Sequence, residues 1–396
     1  MIGVSTVKTT PARRIAFEVL SAVARGGYAS DILRARSRNL EPRDAGLASQ
    51  IVFGCLRHQA QLDHLVFLYS GRPAAEFEEA VLIAMRMGIF QLRYLERIPA
   101  HAAVGESVEL VKRHKRAAAG LVNAVLRKVN REPVAWPDLA IRLSCPEWLL
   151  ERWTQHFGSE MAENIAAAAL EEPAAYLRVP LDETAPERIE LEPTSIPGCF
   201  RLVSGAKLGL RLHDISSQAI IPLLDLKPAQ RYLDLCAAPG NKTLQALETP
   251  LALAVACDIS EKRIREIPPV CPRVVLDACG PLPFRGSFDR IFIDAPCSGT
   301  GTLARNPEIK WRVQNQDFAR FAVLQRQILA EAVGLLAEHG RLVYATCSLE
   351  REENEDVVAG LLEVRPDLKC EREMWRVPGR DEGDGFYAAV IGHRSC

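Results

Sequence analysis

From about residue 206 onward the chain alternates short apolar runs with helical stretches, and this rhythm restricts its fold more than any other feature. RYLDLC, LALAVAC, RVVL, RIFID and RLVYATC are the apolar runs, and a long helical stretch, FARFAVLQRQILAEAVGLLAEHG, precedes the last of them. Strands alternating with helices predict an α/β fold with a parallel, doubly wound sheet. Ligands of such sheets bind outside the carboxyl ends of the strands. The residues just past each apolar run are therefore the candidates for function.

The first run leads into LDLCAAPGNKT, residues 233–243. A strand passing through a glycine turn into a helix offers free backbone N–H groups to a ligand. The turn is neither GxxxxGK[ST] nor GxGxxG, which disfavours nucleoside triphosphates and dinucleotides. The second run ends at Asp258 and the third at Asp277. An acid about 20 residues beyond a glycine turn commonly accepts hydrogen bonds from ribose hydroxyls, and one on the next strand suits an adenine amino group. Together these ends point to an adenosine-bearing ligand without a pyrophosphate, and S-adenosylmethionine (AdoMet) fits. The fourth run ends in FIDAPCSGTG and the fifth in VYATCSLEREEN, each with a cysteine just beyond the strand, Cys297 and Cys347. Thiolates are strong nucleophiles, and neighbouring parallel strands would bring both sulfurs to the ligand's edge of the sheet.

Before this region the pattern differs. Residues 1–135 read as helical throughout, and residues 136–205 as a Pro-punctuated connector with one helical stretch, CPEWLLERWTQHFGSEMAENIAAAALEE, and strand-like pieces YLRVPL and CFRLV. Residues 206–396 hold the alternating domain. The overall net charge of −1 conceals +8 on residues 1–135 and −9 on the rest. A basic helical domain on an acidic body suggests a polyanion docking at one end. Lys112, Arg113, Lys115, Arg116, Arg127, Lys128 and Arg131 are the candidate phosphate contacts. No apolar run is long enough to span a membrane, and the polar, basic first residues do not read as a secretory signal. The eleven cysteines form no CxxC pair and no metal-ligand pattern, so they are expected to be reduced thiols of a cytoplasmic protein.

LDLCAAPGNKT, DAPCSGTGTLARNPEIKW and YATCSLEREENEDVV resemble the RNA 5-methylcytosine methyltransferases of the RsmB (Fmu, Sun) type. RDAGLASQIVFGCLRH is similar to the NusB-like RNA-binding domain of that family, and SCPEWLLERWTQHFG and EGDGFYAAVI match its style. The resemblance implies a Rossmann-like AdoMet-dependent methyltransferase sheet, an N-terminal all-α NusB-like bundle and a small connector domain. Cys236, Ala237, Ala238, Pro239, Gly240, Asn241 and Lys242, with Asp258 and Asp277, would hold AdoMet, and Arg263 would assist near the ribose. Asp294 would sit between cofactor and base and hydrogen-bond the cytosine N3/N4 edge. Cys347 would be the nucleophile and Cys297 the thiol of product release, with Lys242 approaching the base. The implied substrate is 16S ribosomal RNA, acted on by a monomer with no obligatory protein partner. Three departures stand out: Asn241 occupies the second glycine position of APGGKT, LRVP stands at 177–180 where the family has LRVN, and the segment 259–276, with Pro268, Pro269 and Pro272, leaves room only for a truncated helix.

The chemistry explains why two thiols are of interest. C5 of cytosine is a poor nucleophile until a thiolate adds at C6. Hydrogen bonding at N3 lowers that barrier, and burial would raise the pKa of Asp294 enough for it to act as an acid. Two other readings are consistent with parts of the pattern. A DNA cytosine-C5 methyltransferase would use the Pro-Cys thiol, Cys297, as nucleophile. An RNA-binding factor with a relic methyltransferase fold would use neither.

Overall fold

Apolar residues at helical spacing dictate the first half of the computed structural model, which describes residues 9–394 apart from 187 and 206–209. The polar N-terminal octapeptide lies outside the described residues. The chain divides into two units, residues 1–171 with 304–312, and residues 172–303 with 313–396. The connector expected over 136–205 is thus shared between them.

The first unit is all helix: α1 (Pro11–Ala24), α2 (Ala29–Arg36), α3 (Pro42–Arg57), α4 (Gln59–Ser70), α5 (Glu79–Tyr94), α6 (Ala100–His114) and α7 (Ala119–Arg127), then Glu147–Phe157 and Ser159–Ala168. Two helical stretches, AGLASQIVFGCLRHQAQLDHLVFLYS and the one expected in the connector, are each broken. His58 separates α3 from α4, and Gly158, at φ +85°, separates the last pair. One face of each of α1 to α7 joins a common core that includes Ile15, Val19, Ile51, Val52, Leu65, Met85 and Ile89. Inside that unit Arg13 and Glu106 form a buried ion pair at 2.7 Å. Gln91 Oε1 accepts from Arg13 Nε at 2.6 Å, which helps meet the cost of burying the charge.

The segment 304–312, drawn from the motif after Cys297, completes this unit. Helix C-termini leave carbonyls unpaired and favour cations. Lys310 Nζ donates to the carbonyl of Arg57 and Trp311 Nε1 to that of Leu56, both at 2.9 Å, at the end of α3. Arg312 Nη2 donates to the Val23 carbonyl of α1 at 2.7 Å. Part of a motif that resembles catalytic sequence therefore caps helices. Of the basic residues singled out above, Lys112 pairs with Glu109 and Lys115 with Glu78. Arg131 donates to the carbonyls of Leu92 and Leu95, whereas Arg113, Arg116 and Arg127 are exposed.

The second unit begins with a small antiparallel sheet, β1 (Tyr176–Arg178), β2 (Glu190–Pro193), β3 (Cys199–Ser204) and β4 (Arg211–Leu212), in the order β2-β3-β1-β4. The main sheet follows: β5 (Arg231–Leu235), β6 (Leu253–Asp258), β7 (Arg273–Val275), β8 (Phe288–Asp294), β9 (Leu336–Thr346), β10 (Leu368–Arg376) and β11 (Phe386–His393). Their order is β10-β11-β9-β8-β5-β6-β7. Successive side chains of a strand point to opposite faces, and here both faces are covered. Leu233, Ile291 and Leu342 belong to one core, Tyr232, Phe292 and Val343 to the other. The five strands β5 to β9 are parallel, as the alternation predicts. Within this sheet β11 alone runs the other way: it inserts antiparallel between β9 and β10, entered from β10 by a hairpin return that needs no crossover helix. The helix after β6 is the truncated one expected, Glu261–Ile264. Among the described residues no helix is long and apolar enough to cross a membrane.

Candidate active site

The winding of the sheet reverses between β5 and β8, so their carboxyl ends leave a crevice where a ligand fits. A cavity of about 340 Å³ opens there, within the range of small-ligand sites. Cys236, Ala238, Asp258, Arg263, Asp277, Asp294, Cys297 and Cys347 all line it. Ala237, Pro239, Gly240, Asn241 and Lys242 do not.

The loop after β5 is shaped by its backbone. Positive φ falls at Cys236 (+64°) and Gly240 (+98°). A Cβ on Gly240 would stand 2.7 Å from the Ile267 side chain, so only glycine fits. Asn241, the departure from the family pattern, does not carry the left-handed turn. It begins the helix Asn241–Ala246, and its Nδ2 donates to the Leu212 carbonyl at 3.0 Å. It lines a separate cavity, with Arg178, Arg211 and His213. The loop is pinned from the next strand, where Asp258 Oδ2 accepts from the N–H of Ala238 (3.1 Å) and Oδ1 from that of Ser260 (2.8 Å). Each oxygen keeps a further lone pair for a hydroxyl. Arg263 Nη2 donates to the Ala238 carbonyl at 2.7 Å, so it both lines the cavity and shapes its loop.

Beneath the loop Asp234 is fully buried, and its Oδ2 accepts from Thr243 Oγ1 (2.7 Å) and Tyr232 OH (3.1 Å). Burial pushes its carboxyl up to about 7. An acid whose folded pKa is raised stabilises the fold fully below its unfolded value, near 4, and that contribution is lost as pH rises through the folded value. Asp234→Asn should therefore flatten the fall in thermal stability of the wild type between pH 5 and 8, by about 3 kcal/mol. Denaturation scans across that range measure it, and a variant with the wild-type slope contradicts it.

On the other side of the cavity, Lys242 Nζ lies 2.7 Å from Asp294 Oδ2 and 4.9 Å from the centre of the Phe386 ring. Burial alone would lower the Lys242 pKa, but the Asp294 charge and hydrogen bond outweigh it and the net shift is upward. The Lys242 ammonium thus holds its proton beside Asp294.

Cys297 and Cys347 meet, with Sγ to Sγ at 3.3 Å. Two glycines bring their turns together. Gly301 N donates to the Cys347 carbonyl at 2.9 Å, and a Cβ on Gly301 would stand 2.3 Å from the Gly385 carbonyl oxygen. The Cys297 thiol is pushed well above the usual range, first by its hydrogen bond with Cys347 and then by burial. Cys297 accordingly keeps its proton.

Sequence reasoning missed the apolar walls, Ile259, Leu276, Leu324 and Ile328. Leu324 and Ile328 lie on the long helix Asn315–Val333, where one apolar stripe serves core and cavity alike, so periodicity gives no signal. It also missed Ser298, Gln325, Ser348 and Glu353 beneath the cysteine pair. The ENE tripeptide around Glu353 was in view only as part of a family motif.

The apolar walls suit an adenine ring, while Asp258 and Asp277 offer acceptors to ribose hydroxyls and an amino group. Sheet order and strand ends together define a Rossmann-like, AdoMet-dependent methyltransferase. Residues 221–392 match the family described as 16S rRNA methyltransferase RsmB/F, and residues 10–131 match the NusB family. The ribosomal RNA small subunit methyltransferase B of Klebsiella pneumoniae is 33% identical, the match covering 97% of this chain and 98% of that protein. The probable enzyme of that name from Bacillus subtilis is 32% identical, with 92% and 90% covered. The chain belongs to the RsmB family of AdoMet-dependent small-subunit ribosomal RNA methyltransferases. The fold agrees: the crystal structure of PH0851 superposes with a TM-score of 0.80 at 20% identity, covering 98% of this chain and 100% of that one. NSun6 from Pyrococcus horikoshii, solved with SFG, superposes with a TM-score of 0.55 at 19% identity, covering 63% and 99%.

Proposed function

We propose that this protein methylates C5 of a cytosine in 16S ribosomal RNA through a covalent bond between Cys347 and C6 of the base. The observation that carries this reading is the pair of sulfurs 3.3 Å apart on the wall of the same cavity as Asp258 and Asp277. Two adjacent thiols serve a reaction in which one attacks and the other assists departure. AdoMet, when bound by the 236–240 loop, Asp258, Asp277 and Arg263, supplies an electrophilic methyl group.

The chain's own residues do the rest. Cys347 is the attacking sulfur, the role the family resemblance gives it, and Cys297, whose hydrogen bond and burial favour the thiol form, is the assisting one. Addition at C6 breaks the ring's aromaticity and makes C5 enamine-like. Asp294 addresses the N3/N4 edge and accepts from the amino group, and Lys242 Nζ brings a proton to the same edge. That stabilises the negative charge that attack pushes toward N3. After methylation a base must take the C5 proton as the Cys347–C6 bond breaks and the thiolate departs, and Cys297, at contact distance, stabilises the departing sulfur by hydrogen bonding. Holding the methyl donor and the base in line supplies proximity.

The target base must be presented unstacked. The NusB-like helices bind the RNA backbone, with exposed Arg113, Arg116 and Arg127 as phosphate contacts. The protein acts as a monomer in the cytoplasm, and the free thiols among its described cysteines suit that compartment. Bisulfite sequencing of ribosomal RNA tests the proposal. Deletion of the gene should turn one protected 16S cytosine from almost wholly unconverted to almost wholly converted. Unchanged protection at every 16S position overturns it.

A further inference from the structure

Four donors converge on one buried carboxylate beneath the cysteine pair. Glu353 has no exposed surface. Its Oε2 accepts from the N–H of Ser298 at 2.8 Å and from Gln325 Nε2 at 3.0 Å. Its Oε1 accepts from Ser348 Oγ at 2.7 Å and from Ser298 Oγ. Ser298 directly follows Cys297, and Ser348 directly follows Cys347. One side chain thus holds the residue after each sulfur. Gln325 Nε2 also donates to the carbonyl of Pro296, the residue before Cys297, at 2.9 Å.

The carboxylate is itself fixed. Tyr344 OH donates to the Glu353 backbone carbonyl at 2.6 Å. Asn354, next in the chain, donates from Nδ2 to the Ser348 carbonyl at 3.0 Å and accepts from Thr346 Oγ1. A buried carboxylate is costly unless hydrogen-bonded, and these four donors meet that cost. Glu353 is not among the residues lining the cavity, so it acts on the reaction only through the turns it holds.

We propose that Glu353 is a positioning residue: its carboxylate bridges the Ser298 and Ser348 turns and thereby keeps the Cys297 and Cys347 sulfurs in contact. This rests on the reading of Cys347 as nucleophile and Cys297 as release thiol. Glu353→Gln replaces one acceptor oxygen by an NH2 facing donors already in place. In the full-length chain kcat should fall at least about tenfold, since small misplacements of reacting groups are costly. KM for RNA and the Kd for AdoMet should stay within about threefold of wild type.

A second readout needs no RNA. Diamide takes up the two electrons and two protons that the thiols release when the Cys297–Cys347 disulfide forms. Closure should be fast in the wild type and at least about fivefold slower in Glu353→Gln, because bond formation requires the two sulfurs to be in register. The Ser298→Ala/Ser348→Ala double variant, which keeps the carboxylate and removes two of its donors, should also close slowly. It decides the matter if Glu353→Gln fails to bind AdoMet. Wild-type closure in both variants, or a lost kcat with unchanged closure, overturns the proposal. An active Cys347→Ala enzyme would instead remove the parent reading, while the closure rates would still report on Glu353.

Discussion

Cys347→Ala is expected to reduce methyl transfer to 16S RNA on the order of 10⁴-fold or more, the scale seen when a covalent nucleophile is removed. The remaining machinery has no substitute for it. Cys297 lies within 3.3 Å, but its hydrogen bond with Cys347 and its burial both favour the protonated thiol. AdoMet binding should survive, because the 236–240 loop and Asp258 are held by backbone hydrogen bonds that do not involve position 347. Transfer of labelled methyl groups to undermodified small-subunit RNA, with calorimetry of AdoMet binding, measures both. A Cys347→Ala enzyme of near wild-type rate removes the mechanism.

Cys297→Ala should fail at the opposite end of the reaction. Attack by Cys347 and the first methyl transfer remain, but departure loses its assisting thiol. The variant should accumulate a denaturation-resistant protein–RNA adduct approaching one per enzyme, with turnover lowered by about 10²-fold or more, within the range for removal of an acid–base group. Denaturing electrophoresis with labelled RNA detects the adduct. The assignment of roles depends on the asymmetry between the thiols. If the Pro-Cys sulfur were the nucleophile, as in the DNA-type reading, Cys297→Ala would be inert and adduct-free while Cys347→Ala stayed active. The two variants therefore separate the readings by opposite outcomes.

Much of this was legible in the chain before folding. Apolar runs with acids and cysteines just past their ends announced a parallel sheet with chemistry at one edge, because strand direction and side-chain alternation are local properties. Asp258, Asp277, Cys297 and Cys347 were found that way and line one cavity, together with Asp294, which the family resemblance supplied. Local reasoning erred where an interaction is supplied from far along the chain. Asn241 stood out as a replaced glycine, yet its side chain binds the Leu212 carbonyl and the turn rests on Gly240. Asp294 was read without its partner, Lys242, which lies 52 positions away. Residues 304–312 follow the Pro-Cys motif and yet cap α1 and α3.

Sequence alone determined the α/β class, the helical first domain and the strand ends where function gathers, since these follow from periodicity and from the residue types at each strand's end. Tertiary structure alone decided the contact between the two sulfurs, the lysine–carboxylate pair and the carboxylate bridge at Glu353. Each of these joins residues distant in sequence, and a hydrogen bond acts over about 3 Å, a separation that only packing of the folded chain sets.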